Sequence, residues 1–539
     1  MEMREKTVNF KVTRNAPKEK IKSPSLKKYV DISLCQTILQ IGIFFDGTGN
    51  NLNLHKLSKS HSNVARLYET YPSVPAQGKY SIYIPGLGTP FPLVGEETER
   101  YFGGSFGDGG DSRIVFAILR IVDALHKTLF NTIMFPPATL RALCHATPGF
   151  IEQKLLDRLN LDTSLTDGEA RLRTKDFLKV CLKNISLRMT QNTVPKICEI
   201  SVDVFGFSRG AAEARVFCHW MKDVLSDAKL AGIPFRFRFL GLMDTVASVG
   251  IWEGIKNDQS GSTGGHSNWA TVEAMKILPE VENCLHLVAM HELRKNFPLD
   301  TVLIGDSLPS NCLEFCYPGS HSDIGGGYAP GELGVSPDDS EKLSQIPLNH
   351  MFDCAVAGGV PLSRERLGKD GQANFAIDKK LLESYEKFIE ILAETPRSLG
   401  QWMLPYLVWR WQTRLKYQDN IQFKRAKEEE KAFLMAGNIK FCNDEDIIKN
   451  YLAYAKISIV QKRPYDRDGT QVTKLALEDE APELRKIITS EKSIVPELAS
   501  FFDNYVHDSM AGFRKQFVEA TGHWRYRRIF FGNEKPFAG

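Results

Sequence analysis

One serine in this sequence sits where a nucleophile would be made. Ser201-Val-Asp-Val-Phe-Gly-Phe-Ser208-Arg-Gly-Ala-Ala-Glu-Ala-Arg215 reads as strand, sharp turn and helix. Val202, Val204 and Phe205 are strand formers. Gly206-Phe207-Ser208-Arg209-Gly210 has G-x-S-x-G spacing, and Ala211, Ala212 and Ala214 open a helix that continues through Phe217 and Met221. Such a turn lifts the serine hydroxyl above a sheet edge. A side chain at either glycine would collide with the neighbouring strand or helix. The helix N-terminus behind Ser208 favours negative charge beside it. The competing reading is a glycine-rich turn whose serine caps the helix. The strength of the strand before it and of the helix after it favours the nucleophile.

A serine needs a base, an acid to orient that base, and donors for the oxyanion. Phe235-Arg-Phe-Arg-Phe-Leu-Gly-Leu-Met-Asp244-Thr-Val-Ala-Ser248 alternates, turns apolar and ends in an acid. Leu313-Glu-Phe-Cys-Tyr-Pro-Gly-Ser-His321-Ser-Asp323-Ile-Gly-Gly-Gly-Tyr328 is a short strand running into a loop that begins with histidine. Both place their polar residue at the C-terminal end of a strand, the edge where open α/β sheets bind ligands. The order Ser208, Asp244, His321 is the serine, acid, histidine order of α/β-hydrolases. Upstream, Gln40-Ile-Gly-Ile-Phe-Phe-Asp46-Gly-Thr-Gly-Asn-Asn51 is a strand followed by a glycine-rich turn. The amides around Asp46 and Gly47, with that of Arg209, are the expected oxyanion hole. A phosphate loop with Asp46 as a magnesium ligand is the rival reading, and the missing lysine argues against it. Asp323 and Asp300 are the alternative acids, and His507 the alternative base; its position after the last strand favours His321.

The elements that must position these residues read as a parallel α/β-hydrolase sheet over residues 31–365. Residues 112–192 form a helical insertion, whose apolar stretches suit either a lid or an ordinary helical layer. Residues 366–539 form a mostly helical region expected to pack on the catalytic part. Residues 1–30 are basic and read as a loosely ordered arm or a docking segment. Trp402, Trp409 and Trp411, with Arg410 and Arg414, suit either a membrane interface or an aromatic core. At 539 residues, 42% hydrophobic and 25% charged, with net charge +3, the chain has ordinary globular composition. The charge suggests no nucleic-acid partner. No secretory signal or transmembrane run is read from the sequence. The ten cysteines show no zinc-type spacing and are expected as free thiols.

Five segments appear in order: Phe45-Asp-Gly-Thr-Gly-Asn-Asn51, Tyr83-Ile-Pro-Gly-Leu-Gly-Thr89, Gly206-Phe-Ser-Arg-Gly-Ala211, Asp244-Thr-Val-Ala-Ser248 and Gly319-Ser-His-Ser-Asp-Ile-Gly-Gly-Gly-Tyr328. Together they resemble the α/β-hydrolase family that contains the phospholipase effectors of the bacterial type VI secretion system, the GxSxG lipase class. Ile346–Phe352, Ala357–Leu362, Tyr505–Phe513 and Arg525-Tyr-Arg-Arg-Ile-Phe-Phe-Gly532 extend the resemblance. It covers most of 38–365 and 500–535, and is weak over 366–499. One departure is His291, where related chains often carry an acid; an orienting acid from that strand would displace Asp244. The resemblance implies a phospholipase A cutting glycerophospholipids at a membrane surface, with the sn-1 ester favoured. It also implies delivery on a type VI spike protein from the producer's cytoplasm to a target periplasm, where an immunity protein opposes it. The chemistry calls for no cofactor or metal. The alternatives are a small-molecule esterase or peptidase on the same triad, and an inactive hydrolase scaffold that binds a ligand.

Overall fold

The computed structural model describes residues 9–23, 36–99, 109–161, 170–191, 194–247, 266, 269–294, 297–392, 397–457, 493–512, 527 and 529–532. Its centre is a sheet of β1 (Gln36–Phe45), β2 (Lys79–Ile84), β3 (Lys196–Phe207), β4 (Lys229–Leu230), β5 (Ile233–Met243), β6 (Val281–Ala289) and β8 (Cys312–Tyr317). The order is β2-β1-β3-β5-β6-β8, with β4 hairpinned onto β5. Every pair along that path is parallel. This is the expected α/β class. A separate two-stranded pairing joins β7 (Leu299–Asp300) to β9 (Ile529–Phe530), also parallel.

Parallel strands buried on both faces read as near-continuous apolar runs, and their period-two alternation divides them between two cores. On β1, Leu39, Ile41, Ile43 and Phe45 face one core and Phe44 the other. The first core is closed by the helices Gly110–Phe130, Pro137–Cys144, Ala170–Gln191 and Arg209–Val224. The Gly110–Phe130 helix is buried over most of its length. This helix of the insertion packs as a layer against the sheet. The second core is closed by Gln345–Ala357, Lys379–Leu392, Leu399–Thr413 and Pro496–Tyr505.

One open reading narrows here to the core, and one expectation changes. Trp402, Trp409 and Arg410 are buried at 0%, 2% and 1% exposure. Trp402 Nε1 donates to the Phe10 carbonyl, and Arg410 pairs with Asp508. These side chains form an aromatic core and cannot reach a membrane surface. Residues 9–23, part of the supposed arm, are tied down: Phe10, Val12 and Ile21 are buried. Phe10 exchanges backbone hydrogen bonds with Arg397, and the Cys316 N–H donates to the Lys11 carbonyl. Cys181, Cys218, Cys284, Cys312, Cys316 and Cys354 are free thiols. No helix among the described residues is long and apolar enough to cross a membrane.

Candidate active site

β3 delivers Ser208 to the sheet edge, and the helix Arg209–Val224 leaves directly behind it. Ser208 adopts φ 58°, ψ −126° and its side chain makes no capping bond. That backbone conformation costs an L residue about 1–3 kcal/mol and persists only where the surroundings over-determine it. The surroundings are the flanking glycines. A Cβ at Gly206 would lie 2.4 Å from the Gly210 carbonyl oxygen; one at Gly210 would lie 2.4 Å from both the Phe45 and the Asp46 carbonyl oxygens. The strand, the helix and the turn after β1 thus close around the serine at backbone distance. The Ser208 N–H donates to the Met243 carbonyl, and the Val246 N–H donates to the Ser208 carbonyl. These bonds bracket Asp244, so nucleophile and acid are held in register by main chain.

Asp244 ends β5, fully buried. Its Oδ2 lies 2.5 Å from His321 Nδ1. The Ala289 N–H donates to Oδ1 at 2.8 Å. Arg527 grips both oxygens, Nη1 to Oδ2 at 2.7 Å and Nη2 to Oδ1 at 2.5 Å. Burial would raise its pKa, but the Arg527 charge and the His321 bond overcome that and hold the carboxyl well below its usual range.

His321 opens the short helix His321–Gly325 after β8, with Ser320 and Asp323 closing a capping box around its first turn. Its ring lies against Phe207, the residue before the nucleophile, with centroids 4.6 Å apart, and edge-on to Phe297 at 4.9 Å. A Cβ at Gly325 would enter the Phe207 ring at 2.0 Å, so this loop seats directly on the elbow. Burial lowers the imidazole pKa, and the bond to Asp244 works against it. With Nδ1 committed to Asp244, Nε2 is the nitrogen left to act as base.

The rival candidates have other work. His507 Nδ1 is 2.6 Å from Asp323 Oδ1, and its ring stacks on Tyr328 at 3.7 Å. Asp323 also receives the Ser320 N–H and hydroxyl. Asp300 receives His266 and the Ala247 N–H. His291 Nδ1 accepts the Gly319 N–H at 2.9 Å, and its ring stacks on Tyr406. Burial drops its pKa to about 3. It braces the turn into His321 as a neutral ring.

The turn after β1 departs from expectation. The Asp46 N–H donates to the Ile84 carbonyl at 3.0 Å, and the Gly47 N–H donates to Asp46 Oδ1 at 2.7 Å. Neither amide is free to meet an oxyanion. The Asp46 carboxylate instead organises the turn, accepting from Ser62 and Tyr83 at 2.5 Å each. Burial pushes its pKa up to about 6 against those bonds. On the same turn, Thr48 has a buried Oγ1 without a partner. Arg209 opens the helix behind Ser208, and the first N–H groups of a helix have no intrahelical acceptor.

Sequence reasoning missed two residues. Glu292 accepts the His321 N–H at 3.2 Å and pairs with Arg294; burial opposes its charge, but Arg294 wins and holds its pKa down to about 2. Arg527 belongs to the quoted Arg525–Gly532 segment, which carried a resemblance but no role. Glu292 directly follows the flagged His291, the nearest thing to a signal for it.

Residues 227–354, which include Asp244 and His321, match a family model described as T6SS, phospholipase effector Tle1-like, catalytic domain. No curated protein matches the chain. Among solved structures, the chain is similar to an uncharacterized protein from Pseudomonas aeruginosa, at 25% identity and TM-score 0.69, over 93% of this chain and 80% of that one. A second match is the Tle1 effector bound to the VgrG spike of the type 6 secretion system, at 19% identity and TM-score 0.34, over 66% of this chain and 79% of that one. The segment that carries the acid and the histidine is thus similar to the catalytic domain of type VI phospholipase effectors.

Proposed function

We propose that this protein is a serine hydrolase that cleaves acyl esters of glycerophospholipids, a phospholipase A with the sn-1 ester favoured. The observation that carries the reading is the 2.5 Å bond from His321 Nδ1 to Asp244, made by a histidine whose ring lies against the strained Ser208 elbow. His321 Nε2 takes the Ser208 proton as Oγ attacks the ester carbonyl. Asp244 fixes the tautomer and stabilises the imidazolium. The Arg209 N–H and Thr48 meet the developing oxyanion, in place of the occupied Asp46 and Gly47 amides. His321 then gives its proton to the departing lysophospholipid oxygen. Water, deprotonated by the same histidine, releases the fatty acid from the acyl-serine. The family match around Asp244 and His321 supports the phospholipid substrate class; a type VI spike carrier, a target-cell periplasm as site of action and a periplasmic immunity protein rest on the motif resemblance alone.

The test is fatty-acid release from mixed phospholipid vesicles, with head group and acyl position resolved, for the wild type and for Ser208→Ala. Release that disappears with Ser208→Ala supports the reading. Turnover of short soluble esters without vesicle hydrolysis would assign a small-molecule esterase. No Ser208-dependent turnover of any ester, with no fluorophosphonate labelling of Ser208, would leave a binding scaffold.

A further inference from the structure

Arg527 reaches Asp244 from the far end of the chain, 283 positions away. It is 2% exposed. Besides its two bonds to the carboxylate, Nη2 donates to the Ala289 carbonyl at 3.1 Å and Nη1 to that of Phe297 at 3.4 Å. The guanidinium therefore bridges the end of β5, the end of β6 and the segment before β7. What brings it there is the β7–β9 pairing. The Thr301 N–H donates to the Phe530 carbonyl, and the Gly305 N–H to that of Phe531. The Phe530 ring meets His266 edge-on at 4.4 Å, and His266 holds Asp300. Asp300 in turn binds the Ala247 N–H through its carboxylate, and its own N–H donates to the Thr245 carbonyl. The strand that follows Arg527 is thus docked on the very segment that pins the turn after Asp244.

We infer that Arg527 is a positioning residue of the active site: it locks the Asp244 carboxylate in the plane that serves His321 and sets the charge against which His321 works. This rests on the hydrolase reading above. A bidentate guanidinium fixes a carboxylate in both distance and plane, which a single bond does not. It also cancels part of the negative charge that Asp244 offers the imidazole. Among the described residues, the charged groups that act on His321 are Asp244 after β5 and Glu292 and Arg294 after β6, with Arg527 acting through Asp244; Asp323 on the same turn pairs with the His507 ring. Removing Arg527 leaves Asp244 free to favour the imidazolium more strongly. The acid limb of kcat/KM then moves to higher pH, by about one unit.

The experiment uses the full chain with Arg527→Met and Arg527→Lys, a soluble chromogenic ester, and a pH profile of kcat/KM. Arg527→Met is expected to lower the plateau about tenfold or more and to shift the acid limb upward. Arg527→Lys keeps the charge and loses the two-pronged grip, so its plateau falls while its acid limb stays at the wild-type position. Equal plateaus and equal limbs in all three proteins would overturn the inference, and so would equal losses in both variants with no shift of the limb. Should Arg527→Met fail to fold, the profile of Arg527→Lys alone decides: a shift in its limb overturns the charge argument, and a wild-type plateau overturns the grip. The His321 titration followed by NMR is a readout that needs no turnover. An upward shift of that titration in Arg527→Met stands even if Ser208-dependent hydrolysis is never found, which separates failure of this inference from failure of the functional reading.

Discussion

At Asp244 three different parts of the chain meet on one carboxylate: the turn into His321, the Ala289 N–H at the end of β6, and the C-terminal Arg527. An amide there could accept from only one side, so Asp244→Asn would lose part of the arginine grip and favour the wrong imidazole tautomer. Its kcat/KM on a soluble ester is expected to fall by about 10⁴. His321→Ala should cost about as much as Ser208→Ala, because members of a triad act as a unit. His507 touches Asp323 and Tyr328, one step from the base, so His507→Ala should stay within about tenfold of wild type. A His507→Ala protein as dead as Ser208→Ala, beside an active His321→Ala, would transfer the base to His507. The three measurements share one assay, and circular dichroism of each variant separates lost chemistry from lost fold.

The helix behind the nucleophile does more than aim Arg209. Arg215, on its inner face, donates to Thr245 Oγ1 and to the Asp300 carbonyl, pinning the loop after the acid. Two residues earlier, Glu213 is fully buried and both its carboxylate oxygens lack a partner. Burial drives its pKa well above the ordinary range, despite the nearby positive charges of Arg113 and Arg209. The folded protein therefore keeps this proton while the unfolded chain releases it. A raised carboxyl pKa gives stability that is full below the unfolded value and is lost as pH rises above it, by about 1.4 kcal/mol per unit. Glu213→Gln removes that dependence. Denaturant midpoints should nearly coincide for the two proteins at pH 4.5, and the variant should be the more stable at pH 8; parallel stability curves would mean Glu213 is ionised in the fold. None of this was legible from the residues before folding. Strand, turn and helix around Ser208 were, because apolar runs, glycines and alanines act locally. So was the meeting of Asp244 and His321 at one edge, because a parallel sheet sends its strand ends there. Arg527 and Glu292 were not, because the bonds that define them join residues with no spacing relation. The Asp46 and Gly47 amides misled because the turn's geometry resembles an oxyanion loop, while the Asp46 carboxylate closes one N–H and the sheet edge the other.

The sheet has two apolar faces, and the second is covered by Gln345–Ala357 together with helices that lie beyond residue 365 in the sequence. Phe205, Phe239, Leu285 and Phe315 on the strands share that core with Phe388, Trp402 and Phe502. A chain cut after residue 365 would expose this face, so it is expected to be insoluble or molten, read by a lost cooperative transition and by dye binding to exposed apolar surface. The same cut would remove Arg527 and His507 from the site. The whole protein also has a place of action to test. A phospholipase harms a cell only where bilayer phospholipid is exposed to it and no inhibitor stands in the way. The family match around Asp244 and His321 points to delivery into a target cell. Expressed in the cytoplasm of a bacterium, the full chain should be tolerated. Fused to a signal peptide that sends it to the periplasm, it should lower viable counts by orders of magnitude, and Ser208→Ala should abolish that effect at equal expression. Equal killing by Ser208→Ala would detach toxicity from hydrolysis. Equal killing from the cytoplasm would remove the case for attack from the periplasmic side, while leaving the catalytic assignment to stand on the soluble-ester assay.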